Sequence, residues 1–328
     1  MQMVNRDAVD VLIIGAGISG LLCATELQAQ GARVLVVDKG RGVGGRLSTR
    51  LMSGARIDHG AQFFTVRDPR LQPYVERWLA AGVIREWFRQ APWDNNPAGY
   101  PRYCGVSGMN ALPKYLAATL DVRSGEKIDS LVRTNDRWIA RSQQDRSFTA
   151  EQLILTTPLP QALLLMATTG LNWAGQQLPH LQHCRYAKGL ATLAILDAPS
   201  RIPDPGAIKP STGPLAWIAD NQMKGISPEV TALTLHATPE FAAAHWHSSD
   251  AVRGQLMLAA AQEFIPGAVV DFCCHRWGFT LPLNPWPQPY FAVEALNVVL
   301  AGDAFGGPRV EGAALSGLAA ATALLERV

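Results

Sequence analysis

A glycine-rich turn near the start of the chain limits the possible folds more than any other feature. The apolar run 11–14 is followed directly by Gly15-Ala-Gly-Ile-Ser-Gly20, and an apolar helical pattern begins behind it. In a strand–turn–helix unit, Gly15 permits the tight turn, Gly17 lets the backbone approach a pyrophosphate, and Gly20 lets the helix pack on the strand. The helix N-terminus adds unpaired N–H donors and positive potential. The segment therefore predicts a dinucleotide-binding βα unit.

The residues that follow this unit indicate which dinucleotide it binds. Residues 33–38 form a second apolar run that ends in Asp38, at the distance where a carboxylate holds ribose hydroxyls. An acid there disfavours a 2′-phosphate, which leaves NAD or FAD. The cluster directly behind it contains Lys39, Arg46 and four glycines between Gly40 and Gly45. Its N–H and guanidinium groups suit further phosphate and flavin oxygens, so the sequence favours FAD.

Length and composition restrict the remaining possibilities. A chain of 328 residues is long for one simple domain, so we expect two lobes. A net charge of +2 without runs of one sign gives no argument for nucleic acid or a membrane surface. The start of the chain lacks the pattern of a signal peptide, and the apolar run 11–24 is too short to span a bilayer. We expect a cytoplasmic protein.

The cysteines predict neither a metal site nor disulfides. The five cysteines show no metal-like spacing, and an odd number fits a reducing compartment. Cys273 and Cys274 are adjacent, and we expect them to point to opposite faces of a strand rather than to form a bond.

Periodicity predicts the main elements of the middle of the chain. Leu71, Val75 and Trp78 recur at helical spacing and predict a helix over 68–87. A loop is expected at 89–102, strands with a turn at Asn135-Asp136 over 122–141, a helix at 250–264 and a strand at 269–277.

Several of these segments resemble motifs of the flavin amine oxidase superfamily. The cluster 39–50 resembles its second glycine motif, and Gly60-Ala-Gln-Phe63 resembles the segment near its isoalloxazine ring. The strand that ends at Thr157-Pro158 resembles the one that closes the second half of its FAD domain. At the other end, a strand ending in Gly302-Asp303 precedes a helix that opens with Val310-Glu-Gly-Ala313, as in flavoproteins of this fold.

The resemblance implies an α/β fold: a Rossmann-like FAD-binding domain of the glutathione-reductase/amine-oxidase type, with an inserted mixed α+β substrate domain. The FAD-binding domain would comprise residues 1–66, 104–165 and 284–328, and the substrate domain residues 67–103 and 166–283. Residues 284–327 contain no cysteine, so the FAD is expected to be non-covalent. The residues expected to bind it are Gly15, Gly17, Ile18, Ser19, Gly20, Asp38, Lys39, Gly45, Arg46, Gly60, Ala61, Gln62, Phe63, Thr157, Gly302, Asp303, Val310, Glu311, Gly312 and Ala313.

The middle of the chain resembles the renalase branch of this superfamily, in particular the small bacterial renalases. The matching segments include 216–221, 235–238 and 275–277, and the resemblance extends over essentially the whole chain. It implies an oxidase that takes a hydride from 2- or 6-dihydro isomers of NAD(P)H, returns NAD(P)+ and reduces O2 to hydrogen peroxide. The expected partners are these small molecules, with no nucleic acid or membrane, in a monomer or weak dimer. The residues expected to act on the substrate and the flavin ring are Asn221, His236, Trp277 and Gln62.

Other interpretations remain open at this point. Asn221 could cap a turn, His236 could be a satisfied core histidine, and Trp277 could serve packing alone. The same flavin platform would also suit an amine or polyamine oxidase, a desaturase or protoporphyrinogen-oxidase-like enzyme, or a non-catalytic flavin-binding protein. A plain NAD-dependent dehydrogenase would leave the glycine clusters at both ends unused.

Overall fold

The computed structural model describes residues 8–93 and 99–326. In chain order, its strands are β1 (Ala8–Ile14), β2 (Val34–Asp38), β3 (Thr49–Met52), β4 (Ala55–Asp58), β5 (Ile84–Phe88), β6 (Arg102–Gly105), β7 (Asp121–Ser124), β8 (Ile128–Thr134), β9 (Arg137–Ser142), β10 (Ser147–Leu155), β11 (Tyr186–Leu196), β12 (Ala207–Ile208), β13 (Leu215–Asp220), β14 (Ala232–Ala237), β15 (Val269–Pro282), β16 (Phe291–Val293) and β17 (Val298–Leu300). Its helices are α1 (Ile18–Ala29), α2 (Gln72–Ala80), α3 (Ala111–Ala117), α4 (Leu159–Ala167), α5 (Leu178–Gln182), α6 (Pro239–Ala244), α7 (Asp250–Ala260), α8 (Asp303–Gly306) and α9 (Val310–Leu325).

The chain divides into two compact units. Unit 1 comprises Met1–Gly45, Pro113–Arg185 and Pro282–Val328, and unit 2 comprises Arg46–Leu112 and Tyr186–Leu281. These units differ from the predicted domains, because residues 46–66 and 104–112 belong to unit 2 and residues 166–185 and 282–283 to unit 1. The β3–β4 hairpin accounts for part of the difference, since its apolar side chains join a core cluster with residues of β11 and β14.

Unit 1 is built on a mixed sheet whose centre is parallel. The strand order is β16-β17-β10-β1-β2-β7, with β9 and β8 added beside β10. β1 runs parallel to β2 and β10, and β10 runs parallel to β17. The central strands are near-continuous apolar runs, as expected of parallel strands buried on both faces. Because these strands are parallel, the carboxyl ends of β1, β2, β10 and β17 lie at the same edge of the sheet.

The first and last helices of unit 1 pack closely together. α1 is buried over most of its length, and α9 presents a row of small residues to it. A Cβ built on Gly317 would lie 2.1 Å from the carbonyl oxygen of Ser19, so only glycine permits this approach. The contact fixes α9 against the start of α1.

Unit 2 contains a five-stranded sheet and two hairpins. The strand order is β12-β13-β14-β11-β15, and the hairpins are β3–β4 and β5–β6. The two faces of the sheet are covered by different groups: one packs on α6 and α7, and the other on the β3–β4 hairpin. In the strand order given above, β14 is the central strand. Trp217 of β13 lies directly opposite His236 of β14.

The local predictions hold in most places and fail in one. Cys274 and Cys273 of β15 join the cores on opposite faces of the sheet, and Asn135 and Asp136 form the predicted turn between β8 and β9 with positive φ. The helix predicted over 68–87 is wrong beyond Ala80, because the chain turns at Gly82 and then pairs as β5 with β6. Of the predicted loop at 89–102, residues 94–98 lie outside the described part of the chain.

Two further observations bear on the predictions from composition. Every helix in the described ranges is too short or too polar to cross a membrane. All five cysteines are free thiols, and four of them are buried.

Candidate active site

The Gly15–Gly20 turn in unit 1 has the geometry that its sequence predicts. Gly15 has φ +118°, and a Cβ on Gly20 would lie 2.0 Å from the carbonyl oxygen of Gly15. At Gly17, by contrast, an added Cβ would meet nothing within 4 Å. The turn is therefore tightly packed on the protein side and open at Gly17, where a pyrophosphate would approach.

The start of α1 has unused hydrogen-bonding capacity. Its N-cap is Gly17, which provides no side chain to accept from the first-turn N–H groups. The hydroxyl of Ser19 is buried and has no hydrogen-bond partner among the described residues. Backbone N–H groups at a helix N-terminus, together with a hydroxyl, suit the oxygens of a phosphate.

Asp38 connects the two glycine loops of unit 1. Its Oδ2 accepts from the N–H of Ala16 at 2.7 Å, and its Oδ1 accepts from the N–H of Gly40 at 2.6 Å. Each carboxylate oxygen can accept a second hydrogen bond, so the predicted contact with ribose hydroxyls remains compatible with this geometry. The adjacent Lys39 is exposed and contacts Gln161 at 3.2 Å.

The C-terminal motif lies in the same unit and surrounds a second helix N-terminus. Gly302 has φ +121°, and the side chain of Asp303 is buried. α9 begins at Val310 without a side-chain cap, behind Arg309 at φ +91°. A Cβ on Gly312 would lie 2.3 Å from the carbonyl oxygen of Gly307, so the loop and the helix pack closely together.

The predicted site residues are divided between the two units. Unit 1 contains fifteen of them: Gly15, Gly17, Ile18, Ser19, Gly20, Asp38, Lys39, Gly45, Thr157, Gly302, Asp303, Val310, Glu311, Gly312 and Ala313. Unit 2 contains the other eight: Arg46, Gly60, Ala61, Gln62, Phe63, Asn221, His236 and Trp277.

Both polar atoms of the Asn221 side chain form hydrogen bonds within the protein. Its side chain is fully buried, and its Oδ1 accepts from the N–H of Asp58 at 3.1 Å. Both amide protons are donated, to the carbonyl of Ala232 and to Thr234 Oγ1, each at 3.0 Å. The predicted contact of Asn221 with a substrate is therefore replaced by a contact with Asp58.

His59, His275 and Trp277 of unit 2 form a cluster of rings. The ring of Trp277 stacks on His59 at a centroid distance of 5.4 Å, and its Nε1 donates to the carbonyl of His59 at 2.9 Å. The ring of His275 lies 5.1 Å from that of His59. The described residues provide no group of three or more His, Cys, Asp or Glu side chains that could hold a metal ion.

His59, His275 and the nearby His236 favour the neutral form. Burial lowers the pKa of His59 to about 4, with smaller contributions from the charges of His275, Arg50 and His236. Burial also lowers the pKa of His236 to about 4, and it lowers the pKa of His275. A neutral imidazole offers one donor and one acceptor.

Besides two arginine Nε atoms, four buried side-chain atoms of unit 2 have no hydrogen-bond partner among the described residues. They are His59 Nδ1, Gln62 Oε1, Trp217 Nε1 and His236 Nε2. Buried polar atoms are almost always paired, so a group of this kind indicates a place for a polar ligand. Trp217 and His236 lie directly opposite each other on adjacent strands and therefore present their side chains on one face.

Three further residues near these side chains of unit 2 could not be identified from the sequence: His59, Trp217 and Lys224, whose Nζ donates to Asp58 and to the carbonyl of Gln62. His59 precedes Gly60, Trp217 lies within the segment 216–221, and Lys224 follows Asn221 by three positions. What the sequence does show is that each of them lies within, or close to, a segment that was predicted to contribute to the site. The sequence contains nothing to show that Lys224 is fully buried.

Comparisons with known proteins agree with this geometry. Residues 13–78 match the NAD(P)-binding Rossmann-like domain, and residues 91–325 match the flavin-containing amine oxidoreductases. The second match covers most of the chain. The chain belongs to the flavin-containing amine oxidoreductase family. The predicted fold class, a Rossmann-like domain combined with the amine oxidase fold, is confirmed.

Individual relatives resemble the chain over different extents. An FAD-binding monooxygenase of Aspergillus aculeatus is 26% identical over 152 residues, which cover 44% of this chain and 22% of the fungal protein. A structure described provisionally as a protoporphyrinogen oxidase from Exiguobacterium sp. 255-15 has a TM-score of 0.76 and 13% identity, covering 99% of this chain and 100% of that one. A putrescine oxidase variant also has a TM-score of 0.76, with 15% identity over 98% of this chain and 99% of its own. These structures share the fold.

The cofactor of this family is FAD, and the residues of unit 1 fit it. The open space at Gly17 and the uncapped starts of α1 and α9 suit phosphate oxygens. The unpartnered hydroxyls of Ser19 and Thr157 provide further polar groups at the same edge of the sheet.

Gly17→Ala provides a direct test of this fit. A Cβ at this position would enter the open space without touching protein, so the apoprotein should keep nearly wild-type stability. The affinity for FAD should fall about tenfold or more, as for the loss of one charge-assisted contact. Gly20→Ala is the contrast, because its Cβ would lie 2.0 Å from a carbonyl oxygen and should cost about 1–3 kcal/mol of stability. FAD titration followed by flavin fluorescence would contradict the fit if Gly17→Ala bound like wild type.

The lowered pKa values predict acid lability. An unfolded histidine has a pKa near 6.5, so between that pH and about 4 the unfolded chain binds protons that buried His59 and His236 do not. The free energy of unfolding should therefore fall as the pH falls through this window. Urea unfolding of the apoprotein at a series of pH values should show a shallower fall for His236→Gln, by about one proton. The exposed His247→Gln variant should follow wild type, and equal slopes for all three proteins would contradict the assignment.

Proposed function

We propose that the protein is an FAD-dependent oxidase that takes a hydride from 2- or 6-dihydro isomers of NAD(P)H. The products are NAD(P)+ and, after reoxidation by O2, hydrogen peroxide. Bound FAD supplies the two-electron acceptor and the centre that reacts with O2. Residues 60–63 contribute to binding the flavin ring, as the family resemblance implies, and the face of β13 and β14 binds the nicotinamide.

The observation that carries this proposal is the set of unpaired, uncharged polar atoms in unit 2. Trp217 Nε1 is a donor, and neutral His236 can be either a donor or an acceptor at Nε2. A primary carboxamide, such as that of nicotinamide, offers an acceptor oxygen and two donor protons. The set is therefore complementary to a carboxamide without any charge on either side.

The carboxylates of this region argue against a cationic substrate. Asp58 is fully buried and forms an ion pair with Lys224. Asp220, at the end of β13, accepts from Ser200 and from the N–H groups of Gln222 and Met223. Neither acid is available to balance an ammonium group, whereas a neutral dihydropyridine needs no counter-charge.

The proposed reaction also needs no strong base from the protein. A dihydropyridine is already a good hydride donor, so orientation of the ring supplies most of what the site must contribute. Neutral His236 and Trp217 would bind the carboxamide and fix which ring carbon points toward the flavin. The aromatic rings beside them would exclude water from the reacting carbon.

Amine oxidation is a second candidate, and one observation favours it. Phe63, Trp87, Phe88, Trp93 and Trp217 form a continuous aromatic cluster with ring centroids 4.9–6.5 Å apart. Aromatic faces attract the cationic ammonium form of an amine. An amine oxidase would use these faces, whereas the nicotinamide proposal uses the polar edge of Trp217.

Anaerobic stopped-flow absorbance distinguishes the two candidates. The FAD-loaded protein is mixed in separate shots with the dihydro-NAD isomers, with ordinary NADH and with a polyamine. We expect rapid bleaching of the flavin by the 2- or 6-dihydro isomers alone. Bleaching by the polyamine would support amine oxidation, and no bleaching by the isomers would refute the proposal.

Trp217→Phe refines this test, because it removes one N–H donor and keeps an aromatic ring. The isomer concentration for half-maximal reduction should rise about tenfold, the effect of one hydrogen bond of roughly 1–1.5 kcal/mol. Trp246→Phe, on the helix-covered face of the same sheet, serves as control and should behave like wild type. Equal behaviour of Trp217→Phe and wild type would exclude Trp217 from substrate binding.

A further inference from the structure

A fully buried ion pair lies directly behind the segment that carries Gln62. The side chains of Lys224 and Asp58 have no exposed surface, and Lys224 Nζ lies 2.7 Å from Asp58 Oδ2. The same ammonium group donates to the carbonyl of Gln62 at 2.5 Å and lies 4.8 Å from the centroid of the Trp87 ring. Lys224 thus uses its charge on one acid, one peptide group and one aromatic face.

The remaining partners of Asp58 complete its hydrogen bonding. Its Oδ1 accepts from Thr49 Oγ1 at 2.5 Å and from the N–H of Met109 at 2.8 Å. Its carbonyl accepts from Thr234 Oγ1 and from Gln62 Nε2, both at 2.7 Å. The network is therefore anchored on three separate parts of unit 2.

Stability alone does not explain why this ion pair is buried. Taking two charges out of water costs several kcal/mol, and well-packed apolar side chains of the same volume are often as stable. What the pair adds is a defined orientation for the residues that it touches. The orientation of the Gln62–Phe63 peptide is the direct consequence.

The trans geometry of a peptide bond determines where this peptide points. Its carbonyl oxygen faces Lys224, so its N–H, which belongs to Phe63, points the opposite way. Within the described residues that N–H has no hydrogen-bond partner. Gln62 Nε2 is held by the carbonyls of Asp58 and Gly60, which leaves Oε1 unpaired. The peptide therefore presents one donor on the side away from Lys224, and the side chain of Gln62 carries one unpaired acceptor.

We propose that Lys224, held by Asp58, is a positioning residue that presents the Phe63 N–H and Gln62 Oε1 to the bound flavin ring. The inference rests on the proposed function in one respect, the placement of residues 60–63 at the ring. It adds a role for an ion pair that touches neither cofactor nor substrate. Hydrogen bonds to the ring tune its spectrum and reduction potential, so the ion pair controls both indirectly.

The experiment compares Lys224→Met, Asp58→Asn and the double variant K224M/D58N in the FAD-loaded protein. Each is measured for the visible flavin spectrum, the midpoint potential, the FAD dissociation constant and the thermal midpoint. We expect each single variant to lower the thermal midpoint, because it leaves one charge buried and unpaired. The double variant should recover much of that stability, since it removes both charges, but it should keep the altered spectrum and potential and bind FAD about tenfold more weakly.

The control is Arg253→Met, in the same unit. Arg253 is also almost completely buried, and its guanidinium group contacts Asp250 and the carbonyls of Trp246 and Ser248. This variant should lose stability without changing the flavin spectrum or potential. A change in R253M equal to that in K224M/D58N would attribute the effect to general loosening and overturn the proposal.

The outcomes separate this inference from the proposed function. An unchanged flavin spectrum and potential in the double variant would refute the positioning role, whatever the substrate is. Failure of the dihydro isomers to reduce wild type would refute the proposed reaction and leave these spectral readouts valid. If the single variants fail to fold, the double variant alone decides the question.

Discussion

Every buried charge must find a partner, and in unit 2 this requirement centres on the carboxylate of Asp58. The partners of this residue come from far apart in the chain: Lys224, which pairs with the carboxylate, is 166 positions away, and Asn221, which accepts from the backbone N–H, is 163. By satisfying Asp58, these residues fix the backbone from 58 to 62 and leave Gln62 Oε1 unpaired. The position of this polar atom in the candidate site therefore follows from the pairing of the buried carboxylate.

The two units provide different kinds of polar group. Unit 1 provides backbone N–H groups, glycine turns and helix N-termini, which suit the phosphates of a dinucleotide. Unit 2 provides buried side-chain atoms without partners, and burial lowers the pKa of its His59 and His236 to about 4. Uncharged groups of this kind would suit the neutral ring of the proposed substrate, for which orientation matters more than proton transfer.

The sequence predicts what local chemistry determines and misses what distant contacts decide. The Gly15–Gly20 turn could be predicted because each glycine answers a steric demand within a few residues. The role of Asn221 could not, because its amide is saturated by Ala232 and Thr234, and only the folded sheet brings them together. The burial of Lys224 could not be predicted either, since a lysine in a polar turn is normally exposed. The helix predicted through 84–87 failed for the same reason, because pairing with β6 overrides the local periodicity.

A crystal structure of the FAD-loaded protein with bound NAD+ would test the central claim most directly. The claim is that unit 2 recognises a neutral carboxamide through uncharged donors and acceptors. It predicts the carboxamide within about 3.2 Å of Trp217 Nε1 or His236 Nε2, with both imidazoles of His59 and His236 free of carboxylate contacts. A carboxamide bound elsewhere, with those atoms still unpaired, would contradict the claim and direct attention to the aromatic cluster as an amine site.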